Sequence, residues 1–157
     1  KWKLGRSTNA RAKEKLFANF YKGMPVAELD RAGRELIPVF DSIIRKDVFT
    51  CMKKHRDRGH TLVMVTASIS NWVKPWALEK GFTAVIATEA ETGPERRLTG
   101  RFSTPNCYGQ EKVRRFLEAY PMRAQYALCA YGDSSSDEPL LAFADKAVRC
   151  KNKINTD

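Results

Sequence analysis

The chain has 157 residues, 43% of them hydrophobic and 29% charged, with a formal net charge of +10. That balance suits one globular unit with a core of ordinary size and excludes a disordered, repetitive or low-complexity chain. No apolar run approaches the roughly 20 residues of a membrane span, and cysteines at 51, 107, 129 and 150, without metal-like spacing, read as reduced thiols of a cytoplasmic protein.

Taken in chain order, the pattern alternates helices with short apolar runs. Ser7 or Thr8 caps a helix to about Tyr21, with Leu16, Phe17, Phe20 and Tyr21 on one face and Gly23 as the stop. Pro25 opens a second helix whose apolar members are Val26, Leu29 and Leu36. A third runs from about Asp47 to Arg58, ends at Gly59 and leads into a strand from Thr61 to Thr66. A helix from Ser70 to Lys80 follows, stopped by Gly81, and then a strand near Thr83–Ala87. The alternating stretch Arg97–Phe102 predicts a hairpin arm. A helix around Lys112, a strand ending at Tyr131, a helix through Leu140 and Leu141 and a strand at Ala147–Cys150 complete the order. Such alternation predicts an α/β, Rossmann-like fold: a mostly parallel sheet flanked by helices.

Chemistry concentrates at three strand or helix ends. The run Tyr131-Gly132-Asp133-Ser134-Ser135-Ser136-Asp137 puts two carboxylates four residues apart just past a buried strand, at the sheet edge where open α/β folds bind ligands. Hard oxygens beside small serines suit Mg²⁺, which takes few protein ligands; a turn whose aspartate caps the next helix is the plainer explanation. The strand ending Thr66-Ala67-Ser68 precedes a helix, so a phosphate could bind the Thr66 hydroxyl and nearby amides. Lys112 stands in the first turn of an amphipathic helix, where the helix dipole disfavours a cation.

In this order, the TAS strand end, Gly109-Gln110-Glu111-Lys112 and Gly132-Asp133-Ser134-Ser135-Ser136-Asp137 resemble the haloacid dehalogenase superfamily, most closely its phosphoserine-phosphatase-like branch with a small helical cap. The resemblance implies that residues 1–46 are part of that cap and 47–157 the α/β core without its first strand. It implies a Mg²⁺-dependent phosphomonoester hydrolase. Thr66, Ala67 and Ser68 would hold the phosphoryl oxygens, and Lys112 would neutralise charge. Asp133 would ligate Mg²⁺ with Asp137 as the second metal-site carboxylate, and Asp137 would orient Lys112 or a metal-bound water. Ser136 stands where many relatives carry Asn.

The family's defining strand ends in Asp-x-Asp and supplies the aspartate that becomes phosphorylated. None of Asp30, Asp41, Asp47, Asp57, Asp133, Asp137, Asp145 and Asp157 follows an apolar strand in that pattern. Asp41 comes nearest but sits in a helical stretch without a second carboxylate. The nucleophile is therefore expected upstream of Lys1, and Lys1–Gly5 reads as the middle of a cap segment. Without that strand, two buried strands would face each other across a gap.

Other functions stay in view. A catalytically silent phosphate-binding module would keep the same pocket, and a basic nucleic-acid-associated domain would explain the charge. The basic residues spread over polar helix faces without interleaved aromatics, so no nucleic acid is expected. The expected substrate is a small phosphorylated molecule; a phospholipid headgroup, and with it membrane association, stays open, as does oligomeric state. His55 and His60 read as cations complementing a helix C-terminus, Trp72 and Trp76 as packing residues with the substrate pocket as the lesser alternative, and Arg96, Arg97 and Arg101 as surface rather than as contacts to a second anionic group of the substrate. Nothing marks Cys107 as a nucleophile.

Overall fold

The computed structural model describes residues 9–150. Ser7, Thr8 and the segment 1–5 lie outside the described residues. Four helices come first: α1 (Asn9–Tyr21), α2 (Val26–Glu35), α3 (Ile37–Ile43) and α4 (Lys46–Asp57). Then β1 (Val63–Ile69), α5 (Ser70–Glu79), β2 (Ala84–Thr88), β3 (Ala90–Thr92) and β4 (Leu98–Phe102) follow. The chain continues through α6 (Gln110–Ala119), β5 (Cys129–Gly132), α7 (Glu138–Phe143) and β6 (Lys146–Arg149). This is the α/β order expected from the residues, with Gly23, Gly59 and Gly81 all in the left-handed region that ends helices.

The sheet is divided. β1 runs parallel to β2, with Val63 opposite Ala84, and β5 runs parallel to β6, with Cys129 opposite Lys146. β3 and β4 form the antiparallel hairpin. Instead of one continuous parallel sheet, the described residues make three two-stranded ladders. A cavity of about 800 Å³ separates β1 from β5; Val63, Met64 and Val65 line it from one strand, and Cys129, Ala130 and Tyr131 from the other. Leu62 and Leu128, at the two strand starts, also line it. The C-terminal ends, Thr66 and Gly132, meet in a second pocket. The two strands therefore point the same way.

Two apolar clusters hold these pieces. Phe17, Val26, Leu29, Ile69 and Leu98 bury together, joining α1 and α2 to the end of β1 and to the hairpin. Leu16 and Phe20, expected on the same face as Phe17, are instead 58% and 69% exposed. The inward stripe of α1 is the narrow i, i+4, i+8 row Lys13, Phe17, Tyr21, and Leu16 and Phe20 lie one residue, about 100°, away from it. The second cluster packs Phe116 of α6 against Ile86 and Cys107, with Val63, Val65 and Leu140 beside them.

α2 and α5 approach closely because of two residues. Pro75 lies inside α5 and has no N–H, so the Asn71 carbonyl loses its usual i+4 donor. Gly33 of α2 faces that carbonyl: a Cβ added there would sit 1.9 Å from Asn71 O. Asn71 Nδ2 also donates to Asp30 Oδ1 at 2.7 Å, which fixes the register of the pair. Gly33→Ala forces the helices apart, and we expect it to lower stability by about 2 kcal/mol despite the better helix propensity of alanine. Urea unfolding measures this as a lower midpoint with an unchanged slope; an unchanged midpoint contradicts the close approach.

Candidate functional site

At the C-terminal ends of β1 and β5 lies a pocket of about 480 Å³. Thr66, Ala67, Ser68, Lys112, Asp133 and Asp137 all line it. These are all the residues singled out from the three strand and helix ends, and they converge on one space.

Each arrives for a local reason. At the end of β1 the Ser68 amide donates to Thr66 Oγ1 at 3.1 Å, holding the turn into α5. α6 starts at Gly109, whose φ of 60° is in the left-handed region. The Gly109 amide donates to Ser136 O at 3.2 Å and ties the helix start to the loop after β5. Lys112, only 5% exposed, then projects one turn in, and its Nζ donates to Asp137 Oδ1.

Asp137 organises the loop. Its Oδ2 accepts the Asp133 amide at 3.2 Å, the Ser134 amide at 3.1 Å and the Ser134 hydroxyl at 2.8 Å. This fold-back is the reason for Gly132: a Cβ there would lie 2.5 Å from Asp137 Cβ. Burial pushes the Asp137 carboxyl up, but the hydrogen bonds from Lys112 and Ser134 outweigh it and hold the group below the usual aspartate range. Both Asp137 oxygens are thus held by protein donors, one by Lys112 and the other by the loop amides and the Ser134 hydroxyl. Asp133 is the carboxylate left facing the pocket, 43% exposed and 3.8 Å from Arg45 Nη1. Among the described residues no group of three or more His, Cys, Asp or Glu is arranged to hold a metal ion.

Other residues reach the site without any local signal in the sequence. Arg45, at the start of α4, lines the pocket and also bonds Asp47 at 3.0 Å and Cys150 O at 3.2 Å. Lys13, Thr88 and Asn106 meet behind the Thr66–Ser68 turn, where the buried Thr88 Oγ1 donates to Ala67 O at 2.8 Å. Of these only Asn106 stood next to a conspicuous segment. Cys107, fully buried, has its thiol pushed up by burial, which keeps it inert.

The two histidines join a hydrogen-bonded chain that reaches β5. His55 Nδ1 lies 2.8 Å from His60 Nδ1, and His55 Nε2 lies 2.9 Å from the Tyr131 hydroxyl. Burial first, then His60, Arg58 and Lys146, lower the His55 pKa. Trp72 packs on Tyr21, whereas Trp76, whose Nε1 donates to Asp41 at 2.8 Å, also lines the pocket. Asp41 is thereby a structural acceptor. Arg97 donates to Gly23 O at 2.7 Å and Arg101 pairs with Glu91 at 3.0 Å, on the surface as expected.

Asp137→Asn leaves the Lys112 ammonium nearly buried without its counter-charge, and we expect a loss of about 3 kcal/mol at pH 7. The folded Asp137 pKa lies below its unfolded value. Its stabilisation is therefore complete above the unfolded value, about 3.9, and is lost as pH falls through the folded one. Urea unfolding of both proteins tests this: the gap between them narrows below about pH 4. A gap that stays constant into acid contradicts the pairing.

Comparison with known proteins agrees with this geometry. The family model for haloacid dehalogenase-like hydrolases matches residues 1–142. Protein CicA of Caulobacter vibrioides is 33% identical over 128 residues, covering 81% of this chain and 57% of CicA, so the chain spans little more than half the length of that relative. A Bordetella pertussis Tohama I protein of unknown function has the same fold with a TM-score of 0.79 and 25% identity, over 92% of this chain and 67% of that one. A probable phosphoserine phosphatase from Vibrio cholerae superposes with a TM-score of 0.64 at 13% identity, over 85% of this chain and 40% of its own. The chain belongs to the haloacid dehalogenase-like hydrolase family.

Proposed function

We propose that the chain is the core of a Mg²⁺-dependent phosphomonoester hydrolase, with residues 1–46 forming part of a cap over residues 47–157. The nucleophile of this reading is the first aspartate of an Asp-x-Asp strand end, a pattern that the 157 residues do not contain. One observation carries this reading: Thr66, Lys112 and Asp133, from ends far apart in sequence, line the same pocket. Phosphoryl transfer asks little of a protein beyond positioning and electrostatic stabilisation, and a hydroxyl, an ammonium and a carboxylate around one anion supply both.

In this mechanism the Thr66 hydroxyl and the Ala67 and Ser68 amides bind the phosphoryl oxygens. Lys112, fixed by Asp137, neutralises the developing charge. Asp133 fits Mg²⁺, an ion that takes one or two protein carboxylates and fills its shell with water and substrate oxygens. Bound there, Mg²⁺ would offset the charge of the phosphoryl group. The cavity between β1 and β5, lined by both strands, is where the strand bearing Asp-x-Asp would lie on this reading. The first of those carboxylates attacks phosphorus in line, the second protonates the leaving oxygen, and water then releases phosphate from the aspartyl-phosphate.

The substrate is a small phosphorylated molecule: phosphoserine, another metabolite or a phospholipid headgroup. The net charge of +10 favours approach of any of these anions, and no nucleic acid is invoked. No described helix is long and apolar enough to cross a membrane. A silent phosphate-binding module is the second reading, favoured by the lack of Asp-x-Asp in the 157 residues.

The full-length gene product is expected to release phosphate from an aryl phosphate only with Mg²⁺. Asp133→Asn and Lys112→Ala should each lower kcat/KM by at least about 100-fold. Full activity in both variants refutes the site. Binding of inorganic phosphate without turnover selects the silent module.

A further inference from the structure

Lys13 lies far from the motifs, yet it is the one charged residue on the inward stripe of α1 made by Lys13, Phe17 and Tyr21. Its Nζ donates to Ala67 O and to Asn106 Oδ1 at 2.7 Å, and lies 3.4 Å from Thr88 Oγ1. The stem passes over Phe102, with Nζ 5.2 Å from the ring centre. Glu14, the next residue, accepts the Phe102 amide at 2.8 Å, so this part of α1 is clamped to the hairpin. Thr88 is itself fully buried and accepts the Cys107 amide at 3.1 Å. One ammonium thus joins the first helix, the end of β1, the end of β2 and the loop before α6.

Peptide geometry converts that contact into an effect on the site. The Ala67–Ser68 peptide is planar and trans, so its carbonyl and N–H point in opposite directions. Lys13 and Thr88 hold the carbonyl on the side away from the pocket. The Ser68 N–H is therefore turned to the pocket side, where it meets Thr66 Oγ1 at 3.1 Å. An anion beside Thr66 would receive that N–H.

We infer that Lys13 is a positioning residue for anion binding: it holds the Ala67 carbonyl back so that the Ser68 amide faces the phosphoryl group, and it makes that orientation depend on docking of α1. The phosphoryl ligand rests on the proposed phosphatase reading; the orientation of the peptide does not. If α1 lifts from the hairpin, Ala67 O loses its charged donor and keeps the neutral Thr88 hydroxyl. The first helix and the anion-binding turn are coupled through one side chain.

Two readouts on the full-length gene product separate the parts of this inference. One is hydrogen exchange of the Ser68 amide without ligand, followed by NMR; the other is the affinity for inorganic phosphate with Mg²⁺ present. Removing an oxyanion donor outright costs on the order of 100-fold or more, so misaligning one should cost about tenfold. Lys13→Met should speed Ser68 exchange and weaken phosphate binding by about that factor, and Lys13→Arg, which keeps charge and donors, should recover most of both. If the Met variant does not fold, Lys13→Gln, with one donor left, serves for the same readings. Unaltered Ser68 exchange overturns the inference, and so does altered exchange with unaltered phosphate affinity. A wild type that neither binds phosphate nor turns over substrate removes the phosphatase reading, while Ser68 exchange still decides whether Lys13 orients the peptide.

Discussion

Helix α6 is the brace on which the site depends. β1 and β5 share no hydrogen bonds among the described residues, so their relative position is set by what packs on both. Phe116 anchors α6 to Ile86 and Cys107 on the β1–β2 side, with Leu140 of α7 in the same cluster. Lys112, four residues earlier, reaches across to Asp137 in the loop after β5. The pair is nearly buried, with side chains 6% and 17% exposed, so desolvation takes back much of its Coulomb attraction. A lysine in a first helical turn is also mildly unfavourable with the helix dipole. What the pair fixes is geometry: one ammonium held at the meeting point of two strand ends.

The divided sheet has an energetic consequence. Strand edges carry backbone donors and acceptors that cost about 1–3 kcal/mol each if buried without partners. Along the facing edges of β1 and β5 the 800 Å³ cavity gives room for water instead. The apolar side chains of Val63, Val65 and Leu128 still pack into the second cluster from either side. The cavity is therefore backed by core residues and bordered by strand edges, a combination that suits an added strand better than a small molecule. His55, His60 and Tyr131, which also line it, are hydrogen-bonded in a chain along that same wall.

The sequence was legible where periodicity and punctuation agree. Glycines 23, 59 and 81 ended helices as expected, and the apolar runs before Thr66 and Asp133 became β1 and β5. Thr66, Lys112, Asp133 and Asp137 could be named because each stands at an abrupt change from apolar strand or loop to helix. The pairing of strands was less legible, since β3 has only three residues and no pattern of its own. Lys13 and Arg45 could not be read at all. Both sit among many basic residues on helices, and only tertiary contacts at sequence separations of 54 and 105 distinguish them. Leu16 and Phe20 misled for a related reason: apolar content on a helix does not say how wide its buried stripe is.

Charge at the pocket constrains what could work there. Arg45 and Lys112 are its cations and Asp133 and Asp137 its carboxylates, so the lining is close to neutral. The formal net charge of +10 belongs to the whole chain, and salt screens exposed charges beyond about 8–10 Å. On the proposed reading, a phosphate dianion and an attacking carboxylate would together bring three uncompensated negative charges into a partly dry site. Amide donors such as Ser68 N–H soften that field without carrying net charge. On the proposed reading, a divalent cation at Asp133 would remove most of the remainder, and this is the physical reason to expect turnover to require Mg²⁺.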